Sequence, residues 1–184
     1  MIEKTLFAGF GGQGIISLGQ IWVSLGMRQE KYVTFFPFYG AEKRGGIARA
    51  NCIVSDGKIA SPVLSAADSA VVMNSDSLAW SGENLHDGGL LLVNSSLVPD
   101  TEISAELEKR VRVVRIPATA IAEKLGNVKV ANMVMLGALA KKTGAIKLEK
   151  LAEVLALFFP GEKEKYIPLN IQAIQNGASA LAVL

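Results

Sequence analysis

One cysteine and one histidine in 184 residues leave little room for disulfide or metal chemistry. A lone Cys52 can neither close an intramolecular disulfide nor supply the four thiolates that an iron–sulfur cluster takes. With His86 as the only imidazole, a zinc site of the usual Cys and His composition is excluded too. An excess of one charge is also missing: 19 Lys and Arg against 17 Asp and Glu give a net charge of +2. That is far from the dense basic face of a nucleic-acid binder. The longest nearly apolar run, Val130 to Ala140, is bounded by Lys129 and Lys141 and is too short to span a bilayer. The opening MIEKTLFAGF runs straight into a strand pattern, without the apolar segment and cleavage site of a secretory leader. The expectation is a cytoplasmic protein that engages neither membrane nor nucleic acid.

Half of the residues are hydrophobic, and a chain of this length can bury roughly 70% of its unfolded surface in one core. One domain over residues 1–184 is expected, since no repeat, low-complexity tract or Pro/Ser linker divides it. Thr5 to Ala8 reads as a buried strand, and the apolar spacing from Ile15 to Leu25 marks one face of a helix. Tyr32 to Phe36 predicts a second strand stopped by Pro37, after which PFYGAEKRGG reads as a loop. Ala50 to Val54 and Lys58 to Val63 flank Asp56-Gly57, a pair suited to a tight turn, and predict a β-hairpin. Ser69 to Met73, Leu90 to Val93 and Val111 to Ile116 follow at βαβ spacing. From Pro117 onward every segment reads as helix, with Gly126, Gly144 and Gly161 as breaks. The fold class is therefore α/β: a Rossmann-like, mostly parallel sheet with an inserted β-hairpin and a helical C-terminal third.

The sharpest motif is Gly9-Phe10-Gly11-Gly12-Gln13-Gly14, a G-x-G-x-x-G turn between a strand and a helix. Glycines there let backbone N–H groups approach an anion at the positive helix end, or let strand and helix pack closely. Both readings remain open. A dinucleotide site also needs a carboxylate near the end of the second strand to hold a ribose; Tyr32 to Phe36 carries none, and no G-K-[ST] completes a P-loop. The second motif is Tyr39-Gly40-Ala41-Glu42-Lys43-Arg44-Gly45-Gly46, three charges in a glycine-flanked loop. It leaves the carboxyl end of a strand, the edge where α/β sheets collect ligands. Arg44 could fork onto a carboxylate or phosphate, and Glu42 could hold Arg44 or a partner chain; a solvated loop is the plain alternative. Phe35, Phe36 and Phe38 just ahead need something to pack against, and an interface would supply it.

Other polar positions are weaker. Asn74 and Asn94 each follow a strand run at the ligand-binding edge, where turns also commonly use Asn. Cys52, in the alternating run from Ala50 to Val54, reads as a buried inert thiol. His86 lies in a polar turn and reads as exposed. Asn132 interrupts an apolar helix as a buried hydrogen-bonding residue, and Met133 and Met135 beside it read as core.

Together GFGGQG, FPFYGAEKRGG and ANCIVSDGKIASPVL resemble the gamma subunit of 2-oxoacid:ferredoxin oxidoreductases over most of the chain. The Tyr39 to Gly46 loop looks most like the 2-oxoglutarate-type subunits. The resemblance implies a complex that decarboxylates a 2-oxoacid on thiamine diphosphate, sends electrons through iron–sulfur clusters to ferredoxin and releases an acyl-CoA. It assigns this chain a non-catalytic role with no cofactor of its own. Thiamine diphosphate, magnesium and the clusters would sit on thiamine-binding alpha and beta subunits and a ferredoxin-like subunit, with coenzyme A passing nearby; the isolated chain could form a homodimer. On that reading the turn from Gly9 to Gly14 and the loop from Glu42 to Gly46 are the functional parts. The competing readings are a stand-alone nucleotide- or anion-binding module and an NAD-dependent dehydrogenase.

Overall fold

The computed structural model describes residues 1–39 and 46–181. Its frame is a six-stranded sheet in the order β2-β3-β1-β4-β5-β6. The strands are β1 (Ile2–Phe10), β2 (Tyr32–Tyr39), β3 (Ile47–Ser55), β4 (Ala67–Val72), β5 (Leu85–Asn94) and β6 (Arg112–Ile116). β1, β4, β5 and β6 are parallel neighbours, while β3 runs antiparallel to both β1 and β2. The expected mostly parallel sheet is therefore present, and so is the helical C-terminal part.

Helix α1 (Ile15–Met27) returns the chain across one face, burying Leu18, Ile21, Trp22 and Leu25 against Phe7, Cys52, Val54 and Val71. Helices α4 (Ala118–Lys124), α5 (Ala131–Thr143), α6 (Leu151–Phe158) and α7 (Ile167–Ala180) complete that layer. Residues 131–140 of α5 are all buried, Met133 and Met135 among them, as the apolar run predicts. On the other face the short helices α2 (Leu78–Glu83) and α3 (Ala105–Arg110) cover a second core of Leu6, Ala70, Val72, Leu91 and Val93. Gly126, Gly144 and Gly161 adopt positive φ and separate the helices where the sequence places breaks. No helix of the described residues is long and apolar enough to cross a membrane.

Two local expectations fail. The hairpin across Asp56-Gly57 does not form: β3 ends at Ser55, and residues 58–63 are not a strand. The reason is that β2 and β1 occupy both edges of β3, with Phe35 and Thr5 facing Cys52 from either side. Lys58 to Val63 therefore has no free edge to pair with, and Val63 is left exposed. The antiparallel hairpin joins β2 to β3 instead. Pro37 does not stop β2, which continues to Tyr39 with Pro37 opposite Ala50. β2 is an edge strand, and edges tolerate the missing N–H.

Asp56 closes the amino-terminal corner, accepting from the Met1 ammonium at 2.8 Å and from the Lys31 ammonium. The Lys31 hydrogen bond, helped by Met1, holds the Asp56 carboxyl down to about 2, from an ordinary 3.8. A depressed carboxyl stabilises the fold above its unfolded pKa and loses that contribution as pH falls through its folded pKa. Asp56→Asn should therefore be less stable than the wild type at pH 7, with the difference shrinking below pH 3.8 and gone near pH 2. Urea titrations across that range check it; a pH-independent offset would show that the ion pairs are not its source.

Candidate functional site

The carboxyl ends of β1 and β4 mark the point where the sheet changes direction of winding. The chain leaves β1 toward α1 and β2 on one side, and leaves β4 toward α2 and β5 on the other. Such switch points open a crevice between neighbouring strand ends. The turn from Gly9 to Gly14 lies in it. Phe10 N–H donates to Gln13 Oε1 at 2.7 Å, Gln13 N–H donates to Phe10 O at 3.1 Å, and Gln13 Nε2 reaches Met73 O at 3.4 Å. Gln13 thus ties the turn to the end of β4 and acts as a positioning residue.

The glycines divide by task. A Cβ on Gly9 would meet Gln13 Oε1 at 2.6 Å and Met73 Cβ at 2.9 Å, so this position serves close packing. Gly12 and Gly14 adopt φ of 100° and 73°, which L side chains rarely accept. Gly14 is also crowded: its Cβ would lie 2.3 Å from Asn132 Nδ2. Gly11 alone has neither constraint, its nearest neighbour being Gly46 O at 3.5 Å.

The structure brings the two sequence motifs together at that point. Gly11 N–H donates to Gly46 O at 2.9 Å, joining the glycine turn to the last residue of the Tyr39 to Gly46 loop. Gly40, Glu42, Arg44 and Gly45 lie outside the described residues, as does the side chain of Tyr39 at the end of β2. Asn74 is buried beside the crevice; its Oδ1 accepts from Ser77 N–H at 3.1 Å, while its Nδ2 is buried without a partner. Asn94 is structural: it donates to Thr119 Oγ1 at 2.9 Å and accepts from Thr119 N–H at 3.3 Å, fastening β5 to α4.

α1 begins at Gly14 without a side-chain cap and with no acidic residue in its first turn. Its first amides have no intrahelical partner, and they carry the positive end of the helix dipole. Asn132 Nδ2 donates to Gly14 O at 3.2 Å, and its Oδ1 accepts from Met133 N–H at 2.9 Å, so Asn132 is satisfied as expected and clamps α5 to the start of α1. Beside this clamp is a cavity of about 470 Å³ that Ser17 of α1 borders. Asn127, Lys129 and Asn132 line one side of it, Lys163, Tyr166 and Asn170 another, over an apolar floor that includes Ile21 and Phe158. Among the described residues, no carboxylate lines it. Lys129 and Lys163, with Ser17 from the first turn of α1, give the described lining a positive character. The sequence reading passed over Lys129 and Lys163, which lie far apart in the chain; only the polar Asn127 and Lys129 directly ahead of the helix of Asn132 offered a local signal.

Cys52 is buried, its Sγ 3.7 Å from Gly19 O, and burial pushes its thiol pKa well up, which suits an inert core residue. His86 is exposed as expected, though its Nε2 lies 3.1 Å from Asp68 Oδ1. β3 lies between β2 and β1, so the described end of β2 is one strand away from the glycine turn.

Residues 4–180 match the model of the pyruvate ferredoxin/flavodoxin oxidoreductase family. The chain belongs to that family. Among the family's members, the 2-oxoglutarate synthase subunit KorC of Methanothermobacter marburgensis is 37% identical over 96% of this chain and 95% of its own. The ketoisovalerate oxidoreductase subunit VorA of Methanothermobacter thermautotrophicus is 32% identical over 95% of this chain, which spans only 35% of VorA. The oxidoreductase gamma subunit of Geobacter sulfurreducens superimposes with a TM-score of 0.80 at 26% identity, covering 99% of both chains. The 2-oxoglutarate:ferredoxin oxidoreductase of Magnetococcus marinus gives 0.88 at 24% identity over all of this chain and 31% of that one, a likeness of fold. The chain is thus of the gamma type in an oxidoreductase family.

Proposed function

We propose that residues 1–184 act as one gamma domain in a complex that oxidatively decarboxylates a 2-oxoacid, 2-oxoglutarate before others. The overall conversion takes 2-oxoglutarate, coenzyme A and two oxidised ferredoxins to succinyl-CoA, carbon dioxide, a proton and two reduced ferredoxins. It proceeds in the cytoplasm, where ferredoxin is the acceptor. Two observations support this reading: the hydrogen bond that joins the glycine turn to Gly46 of the loop, and a cavity whose described lining holds two lysines and no carboxylate. That combination suits the phosphate-rich part of coenzyme A better than the small 2-oxoacid.

In this reading Lys129 and Lys163, with Ser17 of α1, hold the anionic end of coenzyme A. Gln13 and Asn132 keep the turn rigid, and Arg44 and Glu42 close the loop over the site. The residues do not fit an iron–sulfur cluster, since the single Cys52 is buried against Gly19 O, so the electron path belongs to partners. Thiamine diphosphate with magnesium, and the clusters, are assigned to alpha, beta and ferredoxin-like subunits.

The test is purification of the tagged chain from its native host, mass spectrometry of what accompanies it, and an assay for ferredoxin reduction dependent on 2-oxoglutarate and coenzyme A. Thiamine-binding and cluster-bearing chains and a positive assay are expected. A solitary chain that retains a nucleotide would overturn the reading in favour of a free-standing binding module.

A further inference from the structure

The half of the sheet formed by β2 and β3 has one face covered by α1. α2 and α3 lie on β4, β5 and β6, and the Trp80 ring of α2 reaches across, 4.2 Å from the Arg49 guanidinium carbon. The antiparallel register puts Thr34, Phe36 and Phe38 of β2 on the second face with Arg49, Asn51 and Ile53 of β3; Ile53 is buried there, and the outer edge at Phe36 and Phe38 is exposed. Phe36 and Phe38 are 47% and 41% exposed, their ring centroids 5.0 Å apart. Beside them three polar atoms are shut off from water with no partner: Thr34 Oγ1, Arg49 Nε and Asn51 Oδ1. Exposed paired aromatics are unfavourable in a free chain, and a covering surface relieves them.

The relatives indicate what that surface is. This fold occupies 35% of the VorA chain and 31% of the Magnetococcus chain, yet corresponds to 95% of KorC, a chain by itself. Where the fold is a separate chain, the remainder of the longer chain must meet it as a separate subunit. A second copy of this chain fits poorly: a two-fold contact sets the same patch against itself, and the described residues of this face include Arg49 and no carboxylate.

We propose that the exposed edge of the β2–β3 face docks the subunit corresponding to the rest of the longer chain. Phe36 and Phe38 are the anchors. The inference rests on the function above only for the existence of such a partner.

The experiment uses the assembled complex, with p-benzoylphenylalanine at position 36 in one preparation and at Glu106, an exposed site on α3, in another. Irradiation should crosslink position 36 to the subunit matching the remainder of VorA, and position 106 should not reach it. Phe36→Asp with Phe38→Asp should weaken binding of that subunit at least about tenfold, with the circular dichroism of the isolated chain unchanged. Crosslinking from position 36 to a second copy, to another subunit or to nothing, in a complex that still assembles, overturns the docking face and leaves the function standing. Failure of the wild-type chain to bind any such subunit overturns both.

Discussion

Gly177→Ala should lower the unfolding free energy by about 3 kcal/mol, the upper end of what overpacking costs. For a chain of this size that is a fall in melting temperature of about 10 °C. α5 and α7 cross so closely that a Cβ at Gly177 would lie 1.8 Å from Val134 O, and one at Gly137 would lie 1.9 Å from Ile174 O. Both obstacles are backbone, so no side chain can swing away and the helices must part. Parting them loosens the packing of Val134, Ala173 and Ile174, all fully buried. Once separated, the pair has room for a second methyl, so Gly137→Ala with Gly177→Ala should cost clearly less than the sum of the single changes. Gly57→Ala, where a Cβ meets nothing within 4 Å, is the control and should stay within about 0.5 kcal/mol. Urea denaturation of the four proteins checks this; additive losses would show that the two glycines relieve independent contacts.

That contact marks the limit of what the sequence discloses. The apolar runs place β1, β4, β5, β6 and the helices, because burial on one or both faces leaves its period in the chain. Gly137 sits in an apolar helix and carries no sign that another backbone lies against it. The hairpin that does not form has the same origin: Asp56-Gly57 is locally suited to a turn, but whether a strand has a free edge is settled by β1, some fifty residues away in sequence. Pro37 was misread for lack of the same knowledge, that β2 is the edge. At the site, the two glycine-bearing motifs were legible as segments and their meeting through Gly11 and Gly46 was not. The cavity was invisible, since Ser17, Lys129 and Lys163 come from three separate parts of the chain.

The cavity also yields the sharpest functional expectation. In the assembled enzyme, Lys129→Ala with Lys163→Ala should raise the KM for coenzyme A at least about tenfold while leaving kcat and the KM for 2-oxoglutarate nearly unchanged. The magnitude follows from charge-assisted hydrogen bonds, worth about 1.5–3 kcal/mol each, discounted because both lysines are exposed to screening solvent. About 1.4 kcal/mol corresponds to a tenfold change in binding. The pattern follows from the proposed role: lysines that hold a part of the substrate that does not react stabilise ground state and transition state equally, so their loss moves only KM. Added salt should weaken coenzyme A binding to the wild type more than to the variant, because the variant has already lost the charges that salt screens. Dephospho-coenzyme A, which lacks the ribose phosphate, should show a smaller ratio between variant and wild type if that phosphate is the group the lysines meet. An unchanged KM for coenzyme A together with a raised KM for 2-oxoglutarate would move the cavity from the cosubstrate to the oxoacid. Changes in kcat alone would place the lysines in a closing motion of the assembled complex.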